Sequence, residues 1–335
     1  ISIFRFNAGG NSESTTWIPW MDSTGRNSGI ARAVYKSPWG RKVLFEETHL
    51  ASRLRFRYRW SFSPRFGFIR DCWLTNLSDE ACNVTWLDGL QNLLPVGVGS
   101  EFWMGFSNLG NAYKKSELVE DSSLAMYYLS SIPSDRAEPS EGVQATGVWS
   151  QGLDATSTLV SSEQLQHFIE GSALTTETAI RGRAGAYLQE ATRELTTGET
   201  CHWRQVMDLA KDQTDVMNLL SWLTSGVNQA REVDEDVEKG EVALKRLIGS
   251  ADGLQCGRDL NRVNRHFSNT LFNVMRGGIP LCNYQVSGRD IRKHISSFNA
   301  SVASQLASLL GDLPERLSHL ELNEKFQKTG DEDLR

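Results

Sequence analysis

Residues 53–62 read RLRFRYRWSF. Arg53, Arg55, Arg57 and Arg59 alternate with Leu54, Phe56, Tyr58 and Trp60, and Phe62 keeps the beat. Successive side chains of a strand point to opposite faces, so strict alternation predicts a β-strand with one aromatic and one basic face. A single-strand nucleic-acid groove needs its stacking aromatics and its cations on one surface. Here they fall on opposite surfaces. The expectation is a buried aromatic face and an arginine face that is exposed or paired with acids on a neighbouring strand.

Similar short alternating segments fill the chain up to residue 213. Phe68 to Asn76 and Cys82 to Leu90 flank Leu77-Ser78-Asp79-Glu80 and predict a hairpin. Ala186 to Leu195 and Thr200 to Ala210 flank Thr196-Thr197-Gly198-Glu199 and predict a second. Ser123 to Ser130 and Val143 to Trp149 are further strand candidates. Nine of the ten tryptophans lie in this half, which supplies bulk for a core between sheets. Many strands joined by turns point to an antiparallel sandwich or barrel.

The period changes near Lys211-Asp212-Gln213. Ser225 to Ile248 predicts a helix despite Gly240. Leu260, Val263, Phe267, Leu271 and Val274 recur at steps of three and four, an amphipathic helix ended by Gly277-Gly278. Ser287 precedes a helical stretch with Ile291, Ile295 and Phe298, and Ser301 to Leu310 predicts another, closed by Gly311 and Pro314. The expected fold is therefore mainly β with a helical C-terminal part: a large antiparallel β-sandwich over 1–213, then a helical region over 214–335.

The 335 residues carry a formal net charge of −6, which argues against nucleic acid or an anionic membrane as the main partner. No apolar run approaches the roughly 18–20 residues of a membrane span. Five cysteines lie scattered without a CxxC, so neither a metal site nor a disulfide framework is expected, and a reducing cytoplasm is the expected location.

Catalytic signatures are missing. There is no GxxxxGK[ST], GxGxxG, GxSxG or HExxH. Gly9-Gly10 reads as a flexible segment and His202 as a surface or satisfied residue. Glu46-Glu47 and Asp234-Glu235-Asp236 read as solvated faces, and the sequence nominates no catalytic carboxylate pair. One constellation stands apart. Opposite the apolar stripe of the helix from Arg258 to Arg276 lie Arg262, His266, Asn269, Asn273 and Arg276, all within about 80° of arc at ~100° per residue. Their planar, donor-rich groups suit bidentate hydrogen bonds to a second domain or a polyol.

Four stretches together resemble a known family: FGFIRDCWLTNLSDEACNVTWLDGLQNLLPVGV (66–98), LSSIPSDRAEPSEGVQATGVWSQGL (129–153), HFSNTLFNVMRGGIP (266–280) and ELTTGETCHWRQVMDLA (194–210). They look like the front part of large bacterial carbohydrate-active proteins similar to cellobiose phosphorylase, in an uncharacterised branch. The resemblance implies a galactose-mutarotase-like supersandwich, a helical linker and an (α/α)6 barrel. In that family the barrel holds the catalytic acid and the phosphate site. No position here matches that motif, so no catalytic residue is carried over.

The leading expectation is a non-catalytic sandwich and linker of a glycoside phosphorylase or hydrolase relative. The alternative is a self-standing carbohydrate-binding module using Trp17, Trp20, Trp39 or Trp103. A third reading is an epimerase-type sandwich enzyme, with His49 beside Glu46 or Glu47. Expected partners are the C-terminal helical-barrel domain of the same protein, carbohydrate and a second copy in a homodimer. No cofactor, metal, nucleic acid or membrane is expected.

Overall fold

The computed structural model describes residues 1–7, 14–21, 29–99, 110–131, 142–277 and 285–328. Gly9, Gly10, Trp103, Gly278 and Cys282 lie outside the described residues. The chain divides into two compact units, one of Ile1–Ser37 with Arg41–Glu238 and one of Pro38–Gly40 with Lys239–Arg335.

The first unit holds strands β1 (Ser2–Asn7), β2 (Ser14–Trp17), β3 (Ile30–Lys36), β4 (Val43–His49), β5 (Leu54–Ser63), β6 (Gly67–Asn76), β7 (Cys82–Leu93), β8 (Lys114–Leu118), β9 (Ala125–Leu129), β10 (Ala145–Gln151), β11 (Ser157–Ser161), β12 (Ala179–Arg181), β13 (Gly185–Leu195) and β14 (Thr200–Lys211). They form a five-stranded sheet, β11-β13-β7-β1-β2, and a nine-stranded sheet, β12-β8-β9-β10-β14-β6-β5-β4-β3. The described ladders are antiparallel throughout. This is the expected mainly β sandwich, followed by helices.

Its packing follows from alternation. Phe4, Phe6, Trp17, Leu54, Phe56, Leu74, Val84, Trp86 and Trp203 form one buried cluster drawn from both sheets. Fully burying an aliphatic or phenyl side chain contributes ~1.5–3 kcal/mol, so this cluster is a main source of stability. β5 behaves as its alternation predicts at its start, where Leu54 and Phe56 are buried, but burial fades along the strand. Tyr58 and Trp60 are only half-buried, and Phe62 is 41% exposed, edge-on to Phe68. The basic face pairs with acids on neighbouring strands as expected at Arg57–Glu46 and Arg59–Asp71, while Arg53 pairs with Asp79 in the connection after β6.

The two predicted hairpins are not hairpins. β6 lies in the nine-stranded sheet and β7 in the five-stranded one, and β13 and β14 are split in the same way. Each connection is an arch that carries the chain from one sheet to the other. β6 pairs with β14 and β7 with β13, so the arches stack. Asn76 stitches them: its N–H donates to Glu199 O, its carbonyl accepts from Gly198 N–H, and its side-chain amide donates to Glu80 O and Leu195 O. The polar turn residues suit either geometry; the choice lies in the long-range partners.

Between the sheets sits a fully desolvated ion pair. Arg70 of β6 donates from Nη1 and Nη2 to both carboxylate oxygens of Asp88 on β7, at 2.7 and 2.9 Å. Ser2 Oγ and Trp203 Nε1 also donate to Asp88, at 2.6 and 2.7 Å. Asp88 is fully buried and Arg70 nearly so. A buried charge persists only when paired and hydrogen-bonded in this way.

Helices cover part of each outer sheet face. On the five-stranded sheet, Phe168 of the helix Leu165–Glu170 packs with Ile3, Leu87 and Leu188. On the nine-stranded sheet, the helix Gln213–Leu223 and the first part of Gln229–Gly249 cover Phe66, Ile69, Trp149 and Val206. The division between units falls within that last helix.

The second unit is helical around its own core of Leu306, Leu310, Leu313 and Leu317, backed by Ile291, Ile295 and Phe326. It holds the predicted amphipathic helix as Leu260–Met275, with Val263, Phe267 and Thr270 buried. Asp259 caps its start by accepting from the N–H of Asn261 and Arg262.

Candidate functional site

The polar stripe of the helix Leu260–Met275 lies at the surface. Arg262 is exposed and pairs with Asp259 one turn back, at 3.3 Å. The Nε2 of His266 is 2.7 Å from Asp252 O. Asn273 Nδ2 donates to Asn269 O at 2.8 Å, and the Arg276 guanidinium lies 5.0 Å from the Phe272 ring centre. The five residues share a face, as the period requires, but their bonds run to their own unit and enclose no cavity. To one side of the stripe, Phe272 and Met275 are 58% and 76% exposed.

The candidate tryptophans are engaged elsewhere. Trp17 is buried and donates to Glu47 at 2.8 Å. Trp20 stands edge-on to Phe45, with the Arg32 guanidinium 5.3 Å from its ring centre. Trp39 packs on Phe267 at 4.7 Å, with the Lys245 ammonium 5.4 Å from its ring centre. His49 faces inward between Phe6 and Trp17, its Nδ1 is 2.7 Å from Ser52 Oγ, and burial lowers its pKa. Glu47 shares its face, but that carboxylate is held by Trp17, the Trp20 N–H and Arg32. Glu46 points to the opposite face, toward Arg57.

The chemistry that spacing alone did not reveal lies on the outer face of the nine-stranded sheet. The register sets Arg59 opposite Asp71 and Asp71 opposite Arg204. Asp71 is fully buried and binds Arg59 Nη2 at 2.7 Å and Arg204 Nε at 2.6 Å, with His202 Nε2 at 3.4 Å. Arg204 reaches on to Asp234. Burial works to raise the Asp71 pKa. His202, Arg204 and Arg59 outweigh it and hold the carboxyl well below its ordinary value. Trp73 stands between neighbours, the His202 ring stacked at 5.1 Å and the Arg59 guanidinium at 5.3 Å. The ladder is a paired surface, with its indole flanked on both sides. Its sequence signal was the alternation Ile69, Asp71, Trp73, Thr75, but the partner at Arg204 is 133 residues away.

Among the described residues no group of three or more His, Cys, Asp and Glu could hold a metal ion. No described helix is long and apolar enough to cross a membrane.

Comparison with known proteins adds a segment-level identity. Residues 282–335 match the family model "Glycoside hydrolase family 149 insertion domain 1". A search of the curated proteins found no match. Solved structures align weakly. A protein described as a kojibiose phosphorylase from the human microbiome shares 10% identity over 80% of this chain and 28% of its own, with a TM-score of 0.34. The family GH92 α-mannosidase of Bacteroides thetaiotaomicron shares 7% over 68% of this chain and 26% of its own, with a TM-score of 0.32. A galactose mutarotase-like protein of Clostridium acetobutylicum shares 12% over 63% of this chain and 79% of its own, with a TM-score of 0.23. The chain thus spans under a third of the first two. An antiparallel sandwich followed by a segment similar to a glycoside hydrolase family 149 insertion domain is what the structure and these comparisons establish together.

Proposed function

We propose that this chain is the non-catalytic sandwich and helical linker of a cytoplasmic carbohydrate-active protein, a glycoside phosphorylase or hydrolase relative. On this reading residues 1–213 are the sandwich and 214–335 lead to an (α/α)6 barrel that carries the chemistry. The observation that carries it is the match of residues 282–335 to a glycoside hydrolase insertion domain. The surface of the second unit supports it. Leu260, Phe272, Met275, Phe298 and Leu320 are all more than half exposed, which is costly unless something packs there. The stripe of Arg262, His266, Asn269, Asn273 and Arg276 adjoins Phe272 and Met275 on its helix and offers the hydrogen-bonding rim of an interface with the barrel. The self-standing binding-module reading has no support from Trp17, Trp20 or Trp39, since all three are committed.

The test is the protein of the full gene, assayed against glucans and cello-oligosaccharides with and without inorganic phosphate. Sugar phosphate would indicate phosphorolysis and free sugar alone hydrolysis. A gene that encodes no large helical domain with this chain would overturn the reading.

A further inference from the structure

We propose that a crevice in the first unit, on the outer face of the nine-stranded sheet beside the helix Gln213–Leu223, binds one neutral hexopyranose. It is walled by Phe66, Trp149 and Trp222 and edged by Asp208, Lys211 and Asn218, and its volume is about 190 Å³. That is below the roughly 300–1,000 Å³ of ordinary ligand clefts, a size that suits a single ring.

The walls are rigid. Trp222 lies 4.9 Å from Phe66 and 5.5 Å from Trp149, ring centre to ring centre, and its Nε1 donates to Glu232 at 2.9 Å. Phe66 and Trp149 are buried and back the crevice, so Trp222 and Leu219, both half-buried, give the accessible apolar surface that the C–H groups of a pyranose seek, while its hydroxyls need planar amides, carboxylates and ammonium groups.

The polar edge is built by a distortion of β14. Asp208 and Lys211 are three apart and would face opposite ways in a regular strand. The ladder to β10 slips here: Gly147 pairs with Asp208, but Ala145 pairs with Lys211, so β14 carries one extra residue. Ala210 takes up the slack at φ 56°, a left-handed conformation that a residue with a Cβ rarely adopts. The result is Lys211 Nζ 2.5 Å from Asp208 Oδ2 on one face. Gly67 makes room for that carboxylate, since a Cβ there would lie 2.9 Å from Asp208 Oδ1.

The charges explain why the ligand is neutral. Asp208 and Lys211 cancel each other. Asp215 is occupied by the N–H of Asp212 in the helix cap, and Arg65 by Glu232. Lys211 retains donors beyond its one ion pair, and the Asn218 amide makes no hydrogen bond with any described residue. An anion would meet Asp208 and Asp215, and a cation would meet Lys211 and Arg65. The choice of a sugar over another neutral polyol rests on the proposed carbohydrate function; the crevice and its polar edge stand on geometry.

The experiment is tryptophan-fluorescence and calorimetric titration of the whole chain with D-glucose, D-galactose, D-mannose and myo-inositol. A ligand of about twelve non-hydrogen atoms at ordinary efficiency gives a dissociation constant of roughly 1 mM. We expect saturable binding of at least one hexose, with Asn218→Ala and Asp208→Asn each weakening it roughly 3–10-fold, as loss of one hydrogen bond does. Trp222→Phe should abolish most of the fluorescence change. Met217→Ala, on the exposed side of the same helix, should bind as the parent does. Asn218 is exposed, so its variant tests binding without threatening the fold. No saturable hexose response up to about 100 mM, a hundredfold above the expected constant, would overturn the proposal. So would equal affinity of parent and Asn218→Ala. Saturation by myo-inositol but by no hexose would keep the crevice and refute the sugar. Catalysis by the full-gene protein is read separately, so either proposal can fail alone.

Discussion

Arg70 and Asp88 join the two sheets through a fully desolvated ion pair, and removing them one at a time or together should give very different results. Arg70→Met leaves the Asp88 carboxylate buried with Ser2, Trp203 and the weak thiol of Cys72 as its donors. Asp88→Leu leaves a buried guanidinium with Gln205 and Ser2. Each single change should cost about 3–5 kcal/mol, the range for stranding one partner of a buried pair. Additive behaviour would then give about 6–10 kcal/mol for the pair variant. With both charges gone, the deficit shrinks to the neutral groups left behind, chiefly Trp203 Nε1 and Gln205 Oε1, at ~1–3 kcal/mol each. The pair variant should therefore fall at least ~2 kcal/mol short of additivity, a coupling typical of residues in direct contact. Urea titration at pH 7, followed by tryptophan emission, reads all four proteins, because Trp86 and Trp203 report on this core. Costs that add to within about 0.5 kcal/mol would show that the two charges do not compensate each other, and the clamp would be refuted.

Asp71 provides a pH test. Its carboxyl is held below the ordinary value in the fold, so its contribution is present above about pH 4 and is lost as pH falls through the unfolded value of ~3.9 toward the folded one. The stability gap between the parent and Asp71→Asn should be widest near pH 7 and narrow below about pH 4 in acid-denaturation curves; a gap independent of pH would contradict the assignment. Phe267→Ala should lower the melting of the second unit by the equivalent of about 3–5 kcal/mol, while Asn269→Ala, at the surface, should shift it by under ~0.5 kcal/mol. Gly89→Ala should prevent cooperative melting, since a Cβ there would lie 1.8 Å from Tyr187 O on the paired strand β13, and circular dichroism would show it.

Local periodicity was enough to read β5, the helix Leu260–Met275 and the passage from sheet to helix near Asp212, because each depends on spacing within one segment. Burial along β5 was overestimated. Alternation names a face but not how far the opposite sheet reaches over it, so Phe62 looked like core and lies at the surface. Asn76 shows what spacing leaves out. Its turn has hairpin composition, yet its hydrogen bonds go to the turn after Leu195, which turns both presumed hairpins into arches. The Asp71 ladder was hidden for the same reason. His202 looked unremarkable until the register set it beside Trp73 and Asp71. The crevice at Trp222 depends on a one-residue slip between β10 and β14, and no spacing rule signals such a slip.

The stacked arches also bear on how the chain folds. A hairpin can close within microseconds of being made, from residues a few positions apart. β7 has no such local route, and β6 has one only toward β5, across the turn at residues 64–66. The ladders that join the two arches form with β14 and β13, and Asn76 meets Leu195 at a sequence separation of 119. During synthesis the early strands emerge with one hydrogen-bonding edge open and wait for the second arch, an interval in which foreign strands can compete for that edge. The closed sandwich should thus form late, after the local meander of β3 to β6, its rate set by closing one large loop. Pulse-labelled hydrogen exchange would show the amides that bond β6 to β14 gaining protection together, after those that bond β6 to β5.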